Sequence, residues 1–183
     1  MRRINARLSA AIMGLFLVHM IWGVLVMLGI TAGGNPAFRL LTWLMSALIA
    51  LHILIGCKLT IDTLVAIRRS GVSYAGANRL FWIRRISGFA MIIFVAAHIW
   101  LFSGRELEGA FLMPHFNVMA LLTQIGMVLS LLIHLTTNIR PLKIALGIED
   151  SKNFKTDALI VLSVLLLMAG VAFFIYYLRW RAV

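Results

Sequence analysis

Five long apolar segments dominate the 183-residue chain and constrain its fold more than any other feature. A helix needs about twenty apolar residues to cross roughly 30 Å of hydrocarbon. Hydrophobic residues make up 62% of the sequence and charged residues only 13%, proportions typical of an integral membrane protein. The sequence therefore predicts an all-α, five-helix transmembrane bundle. It forms a single membrane domain over residues 1–183, with spans at about 8–30, 40–67, 86–102, 116–139 and 158–178.

The distribution of basic residues predicts how the bundle is oriented. Seventeen Lys and Arg face six Asp and Glu, a net charge of +11, and the basic residues cluster at the ends of the spans. With the N-terminus in the cytoplasm, twelve of them fall on the cytoplasmic side and four on the other side. We therefore expect a cytoplasmic N-terminus and an outside C-terminus in a multi-pass protein of a bacterial or archaeal cytoplasmic membrane. Nucleic-acid binding is not expected, because the charge forms no continuous stripe.

Several kinds of chemistry are excluded by what the sequence lacks. The one cysteine, Cys57, permits no internal disulfide and no cysteine-held metal cluster. No internal repeat is visible, and no segment is long enough for a soluble domain. Any catalysis on a soluble substrate is therefore expected to belong to a partner.

Four of the five histidines lie deep inside four different spans: His19, His52, His98 and His134. A polar ring in hydrocarbon costs free energy, so each of these residues is a candidate functional residue. The alternative interpretation is that all four only form hydrogen bonds between helices.

Depth along the spans sorts these histidines into two pairs. His19 and His98 follow a basic residue at the inner edge by twelve and thirteen residues, which places them about 18–20 Å from that edge. His52 and His134 each precede a basic residue at the inner end by six residues, about 9 Å of helix. The sequence thus predicts an outer pair and an inner pair whose levels differ by about 9–10 Å.

Two pairs of imidazoles between membrane helices match the axial ligands of two haems. Gly56, Gly88 and Gly126 would let a flat macrocycle approach the helix backbones, although they serve bare helix packing equally well. Basic residues at the inner edge are candidates to neutralise haem propionates, the alternative being ordinary membrane anchoring: Arg84, Arg85, Arg140 and Lys143.

The segment RRISGFAMIIFVAAHIWLF resembles the third span of dihaem cytochrome b subunits. These are membrane anchors of the succinate:quinone oxidoreductase superfamily, which includes succinate dehydrogenases and menaquinol:fumarate reductases. The matching positions are Arg85, Ser87, Gly88 and, thirteen residues after the arginine, His98. The resemblance continues over all five spans, although Asn138 stands after the fourth histidine where glycine is usual.

The resemblance implies two haem b groups, a distal one on His19 and His98 and a proximal one on His52 and His134. It adds Ser87 to the side chains expected near the propionates. It also implies that this chain is the quinone-reactive electron-transfer subunit of a multi-subunit oxidoreductase and performs no dicarboxylate chemistry itself. The expected partners are a cytoplasmic iron–sulfur subunit and an FAD flavoprotein, with menaquinone or ubiquinone in the lipid, and a dimer of such complexes is a further expectation.

One departure from the family concerns the quinone site. Some menaquinol-oxidising members carry glutamates near the outer end of the second span and beside the fourth ligand, whereas none of the six acids here lies at mid-membrane. Quinone oxidation needs a pocket wall and a proton acceptor, and the candidates at the outer edge are Arg39, Trp43 and His115.

Two alternative functions remain open at this stage. One is a haem b subunit of another quinone-linked enzyme, such as a formate dehydrogenase or a hydrogenase, although those usually have four spans. The other is a channel, transporter or assembly factor that uses buried histidines for protons. The lack of mid-membrane carboxylates and of a repeat disfavours a transporter.

The orientation can be tested with reporter fusions. Because positive loops stay in the cytoplasm, a fluorescent protein fused after Ser70 should fold there, and alkaline phosphatase fused to the C-terminus should be active outside. Phosphatase activity of a fusion after Ser70 would contradict the predicted topology.

Overall fold

Five long helices and one short hairpin make up the regular structure in the described part of the chain. The computed structural model describes residues 1–71, 79–103, 105–107, 110–112, 115–148 and 154–181. The helices are α1 (Arg2–Met27), α2 (Pro36–Ser70), α3 (Arg79–Phe102), α4 (Val118–Leu146) and α5 (Phe154–Arg181). Two antiparallel three-residue strands, β1 (Arg105–Leu107) and β2 (Ala110–Leu112), join α3 to α4. The hairpin was not predicted from the sequence.

All five helices are long and apolar enough to cross a membrane, which confirms the predicted number of spans. Four of them begin earlier in the sequence than the predicted apolar spans. A helix does not stop where its side chains become charged, because its backbone hydrogen bonds are internal and continue into the interface. The exception is α4, whose start is shifted in the other direction.

Local capping explains two of the boundaries that differ from the prediction. The first helix ends at Met27 rather than near residue 30, because Gly29 takes a positive φ of 73°. The N–H groups of Gly29 and Ile30 then donate to the carbonyls of Val26 and Leu25, which closes a Schellman motif. The fourth helix begins after Asn117, whose side chain accepts a hydrogen bond from the Ala120 N–H.

A contact from α3 lets α4 continue through a proline. The sequence predicted an end near residue 139, just before Pro141, yet α4 runs on to Leu146. Proline has no N–H, so the carbonyl four residues earlier, that of Thr137, loses its helical donor. The side chain of Arg84 donates from Nε to this carbonyl at 2.8 Å. The extension of α4 therefore depends on an arginine of the neighbouring helix.

The first four helices form a square with one open side. Close backbone contacts join α1 to α2, α1 to α4 and α3 to α4, whereas α2 packs closely only on α1 among the described helices. It follows that α1 and α3 lie across one diagonal of the square, and α2 and α4 across the other. The fifth helix packs outside this square, on α4 and α1.

The buried core lies on the α5 side of the bundle, near the end at which α4 begins. Phe116 is only 1% exposed, and it stacks on Phe173 with ring centroids 6.3 Å apart. Tyr176 meets the same ring edge-on at 5.2 Å, and Met27 joins the cluster from α1. This cluster ties α5 and the start of α4 to α1.

The α3–α4 interface has a glycine at which a larger residue would displace the ring of Phe94. A Cβ at Gly126 would lie 2.6 Å from Cζ of Phe94 on α3. We expect Gly126→Ala to destabilise the bundle by about 1–3 kcal/mol through overpacking, visible as a lower Tm in detergent. Gly14→Ala is the matched control, since no atom lies within 4 Å of that Cβ. An equal Tm for both variants would contradict the close α3–α4 contact.

Candidate functional site

The four membrane histidines meet as two pairs across the diagonals of the square. The ring centroids of His19 on α1 and His98 on α3 are 6.0 Å apart, with the ring planes at 80°. Those of His52 on α2 and His134 on α4 are 6.4 Å apart, with the planes at 90°. The structure therefore brings together the same partners that the depth count predicted.

The separation within each pair matches two ligands of one metal ion. An imidazole nitrogen binds a metal at about 2.0 Å, so two rings on opposite sides of one ion have centroids roughly 6 Å apart. Within the described ranges no three His, Cys, Asp or Glu residues form a metal-binding group. A pair of axial imidazoles suits a metal whose remaining ligands come from a macrocycle, as in haem.

The Nδ1 atom of every paired histidine has an oxygen partner on a neighbouring helix. Three partners are hydroxyls: Ser9 Oγ lies 3.3 Å from His52, Thr42 Oγ1 3.3 Å from His19, and Ser87 Oγ 3.4 Å from His134. The fourth is Gln124 Oε1, which lies 2.7 Å from His98. His134 has a second hydrogen bond, to the backbone of Arg84 on α3.

The backbone bonds of the three hydroxyls favour a proton on Nδ1 of each ring. Ser9, Thr42 and Ser87 each donate their one hydroxyl hydrogen to a backbone carbonyl of their own helix, at 2.9, 2.8 and 3.2 Å. Each hydroxyl oxygen can then only accept at the histidine, so the histidine Nδ1–H donates. The amide oxygen of Gln124 is an acceptor in any case. All four neutral rings thus present an unprotonated Nε2, the form that binds a metal.

The contacts repeat within two helical hairpins. In the α1–α2 hairpin each helix supplies the hydroxyl for the histidine of the other, and in the α3–α4 hairpin Ser87 and Gln124 do the same. On each helix the acceptor precedes the histidine by ten or eleven residues: Ser9 and His19, Thr42 and His52, Ser87 and His98, Gln124 and His134. The structure therefore contains a repeated arrangement that sequence inspection missed.

This spacing also corrects the predicted distance between the two levels. Thr42 lies beside His19 and ten residues before His52 on the same helix, so the levels are about 15 Å apart along the axis. The smaller value of 9–10 Å assumed that basic residues mark one common edge. Arg85 does not lie at such an edge, because Ser87, only two residues further along α3, contacts His134 of the inner pair.

Glycines leave room beside the histidines on two helices. Gly23 and Gly56 each follow a histidine by four residues, on the same helix face, and no atom lies within 4 Å of a Cβ built at either position. Gly88 serves a different purpose, since a Cβ there would lie 3.3 Å from Cε1 of His134. All four paired rings remain only partly buried.

The candidate propionate contacts occupy different environments. Arg85 has a buried Nε without a hydrogen-bond partner in the described structure, so a buried anion would fit beside it. Nε of Arg84 is engaged with Thr137, and Ser87 contacts His134. Lys143 is buried at 7% exposure, whereas Arg140 is exposed. Arg85 therefore fits the predicted anion contact best.

None of the three candidate quinone contacts belongs to a histidine pair. Arg39 is in the first turn of α2, and His115 precedes the start of α4. Trp43 is 65% exposed and belongs to the outer surface of α2, next to Thr42, which contacts His19. His98 instead has aromatic neighbours from the core cluster, with Phe102 at 4.9 Å and Phe173 at 6.4 Å between ring centroids.

The sequence analysis missed three of the Nδ1 acceptors: Ser9, Thr42 and Gln124. Serine and threonine are common in membrane helices and usually bond to their own backbone, so single hydroxyls attract no notice. Gln124 is a stronger signal, since a polar amide within an apolar span needs a partner. The common spacing of ten or eleven residues before each histidine would have revealed the set.

Nitrogen-15 NMR of the chain free of bound groups tests the protonation of the rings. We expect all four membrane histidines to show a protonated Nδ1 and an unprotonated Nε2, because each Nδ1–H has an acceptor oxygen. Ser9→Ala should change the His52 signals and leave those of His19 in place. Spectra with protonated Nε2 in all four rings would contradict the hydrogen-bond pattern.

Comparisons with known proteins do not assign a function to this chain. No protein-family model, curated protein or solved structure matches the chain. Any function is therefore inferred from the histidine pairs and from the residues quoted for the third span.

Proposed function

We propose that the chain is a haem b membrane anchor that carries electrons across the bilayer for a quinone-linked oxidoreductase. The observation that carries this proposal is the duplicated histidine pair, with ring centroids 6.0 and 6.4 Å apart and every Nδ1 bound to an acceptor oxygen. Histidines that served only as hydrogen-bond partners between helices would have no need to face each other in two pairs with ring centroids 6.0 and 6.4 Å apart.

The residues of this chain have separate tasks in such a protein. His19 and His98 would hold the outer haem, and His52 and His134 the inner one. Each haem, when bound, supplies one-electron oxidation and reduction. The acceptor oxygens orient the rings, and the apolar helices exclude water from both sites. The levels are about 15 Å apart, so the two sites together span much of the roughly 30 Å hydrocarbon core.

Charge supports a place for the haem carboxylates near the inner pair. The guanidinium of Arg85 lies 5.0 Å from the Phe81 ring centroid, and its Nε is buried without a partner among the described residues. A propionate beside it would supply the missing acceptor and neutralise a buried charge. We assign Arg85 to this role, with Arg84 and Lys143 as further cations at the same end of the bundle.

The resemblance in the third span suggests the enzyme that the anchor serves. We propose a succinate dehydrogenase or fumarate reductase type of complex, in which a cytoplasmic iron–sulfur subunit and an FAD flavoprotein carry the dicarboxylate chemistry. The inner haem would exchange electrons with the iron–sulfur subunit, and the outer haem with a membrane quinone. The positive-inside distribution supports a cytoplasmic N-terminus in a bacterial or archaeal membrane.

Haem content tests the proposal directly. The purified protein should contain two haem b groups per chain with low-spin, bis-histidine spectra. His98→Ala should remove one haem and His134→Ala the other, since each variant breaks one pair only. His115→Ala is the matched control, because the fifth histidine lies outside both pairs, and it should retain both haems.

Three results would contradict the proposal. A holoprotein without haem would reject the function, and a holoprotein with a single haem would reject the two-pair assignment. Loss of neither haem in His98→Ala would reject the outer pair.

A further inference from the structure

The four acceptors that support the histidine rings are not equal. Three are hydroxyl oxygens at 3.3–3.4 Å from Nδ1, whereas Gln124 brings an amide oxygen to 2.7 Å from Nδ1 of His98. Gln124 has no exposed surface at all, which makes it one of the most deeply buried side chains in the described structure. The outer pair therefore contains one histidine with a much stronger hydrogen bond than the other three.

A short chain of hydrogen bonds holds the amide of Gln124 in this orientation. Its Nε2 donates to Thr123 Oγ1 at 3.2 Å, and Thr123 Oγ1 donates to the carbonyl of Ala120 at 2.7 Å. A flipped amide would direct its NH₂ group at the Nδ1–H of His98. It would lose both the bond to His98 and the bond to Thr123. The amide oxygen of Gln124 is thus fixed toward His98.

A strong acceptor on Nδ1–H changes the ligand as well as its orientation. The hydrogen bond draws the proton toward the oxygen and makes the opposite nitrogen, Nε2, a better electron donor. A more strongly donating axial ligand stabilises ferric over ferrous haem and lowers the reduction potential. Burial strengthens this effect, because no solvent competes for the bond.

We propose that Gln124 is a positioning residue that acts through His98 to lower the reduction potential of the outer haem without affecting the inner one. This inference rests on the proposed haem function. A single buried amide would then set the reduction potential of one haem independently of the other. The inner pair has no such amide, because both of its rings have hydroxyl acceptors.

Redox titration of the purified complex, followed through its haem absorption bands, tests this role. Gln124→Met keeps the size of the side chain and removes the strong acceptor. We expect the ferrous form of the outer haem to become favoured by roughly tenfold, which corresponds to about 59 mV for one electron. The inner potential should not move. His98→Ala and His134→Ala identify which band belongs to which haem.

Two further variants separate tuning from a loss of structure. Thr136→Val removes an α4 hydroxyl that bonds only to its own helix, and both potentials should stay at the wild-type values. Gln124→Glu retains an oxygen acceptor, so its outer potential should equal the wild-type value or lie below it. If Gln124→Met fails to retain the outer haem, the inference is tested by Gln124→Glu instead. A raised outer potential in Gln124→Glu would overturn the inference.

The outcomes distinguish the inference from the function on which it rests. Wild-type protein without two haems rejects the proposed function and the tuning role together. Two haems with an unchanged outer potential in Gln124→Met overturn the tuning role alone. Equal shifts of both potentials also overturn it, because the hydrogen bond reaches only His98.

Discussion

The hydrogen bond from a histidine Nδ1–H to an oxygen on the neighbouring helix is the interaction on which the rest of this site depends. An imidazole inside a bilayer needs a polar partner, and here each ring finds one within its own helical hairpin. That bond decides the protonated nitrogen, the direction of the ring and the availability of Nε2. The two rings of each pair then face each other because the two hairpins pack side by side.

The site is built from contacts within each hairpin and from contacts between the two hairpins. The bonds from Nδ1 to the acceptor oxygens lie within a hairpin, whereas each pair of facing rings is formed between hairpins, across a diagonal of the square. A group bound between the rings would therefore fasten one hairpin to the other on the side where α2 makes no close backbone contact with α3. The contacts of α1 with α4 already join the two hairpins on the opposite side of the square.

Much of this could be predicted from residues, and the failures have local causes. The pairing of His19 with His98 and of His52 with His134 followed from helix rise and span direction alone, since both are geometric. The predicted distance between levels was wrong, because Arg85 does not mark a membrane edge: Ser87, two residues after it, contacts His134 of the inner pair. The end of α4 was wrong because the carbonyl of Thr137 is satisfied by Arg84, an arginine distant in sequence.

The number of membrane helices, their alternating direction and the sharing of histidines among them could be predicted from the residues, because these depend on apolar length and on the helical repeat. The oxygen that supports each ring could not, because it depends on contacts between helices. A hydroxyl or an amide in an apolar helix can turn to its own backbone, to lipid or to a neighbour. Its partner is set by side chains that meet across helices, at distances of 2.7–3.4 Å that no spacing along one chain encodes.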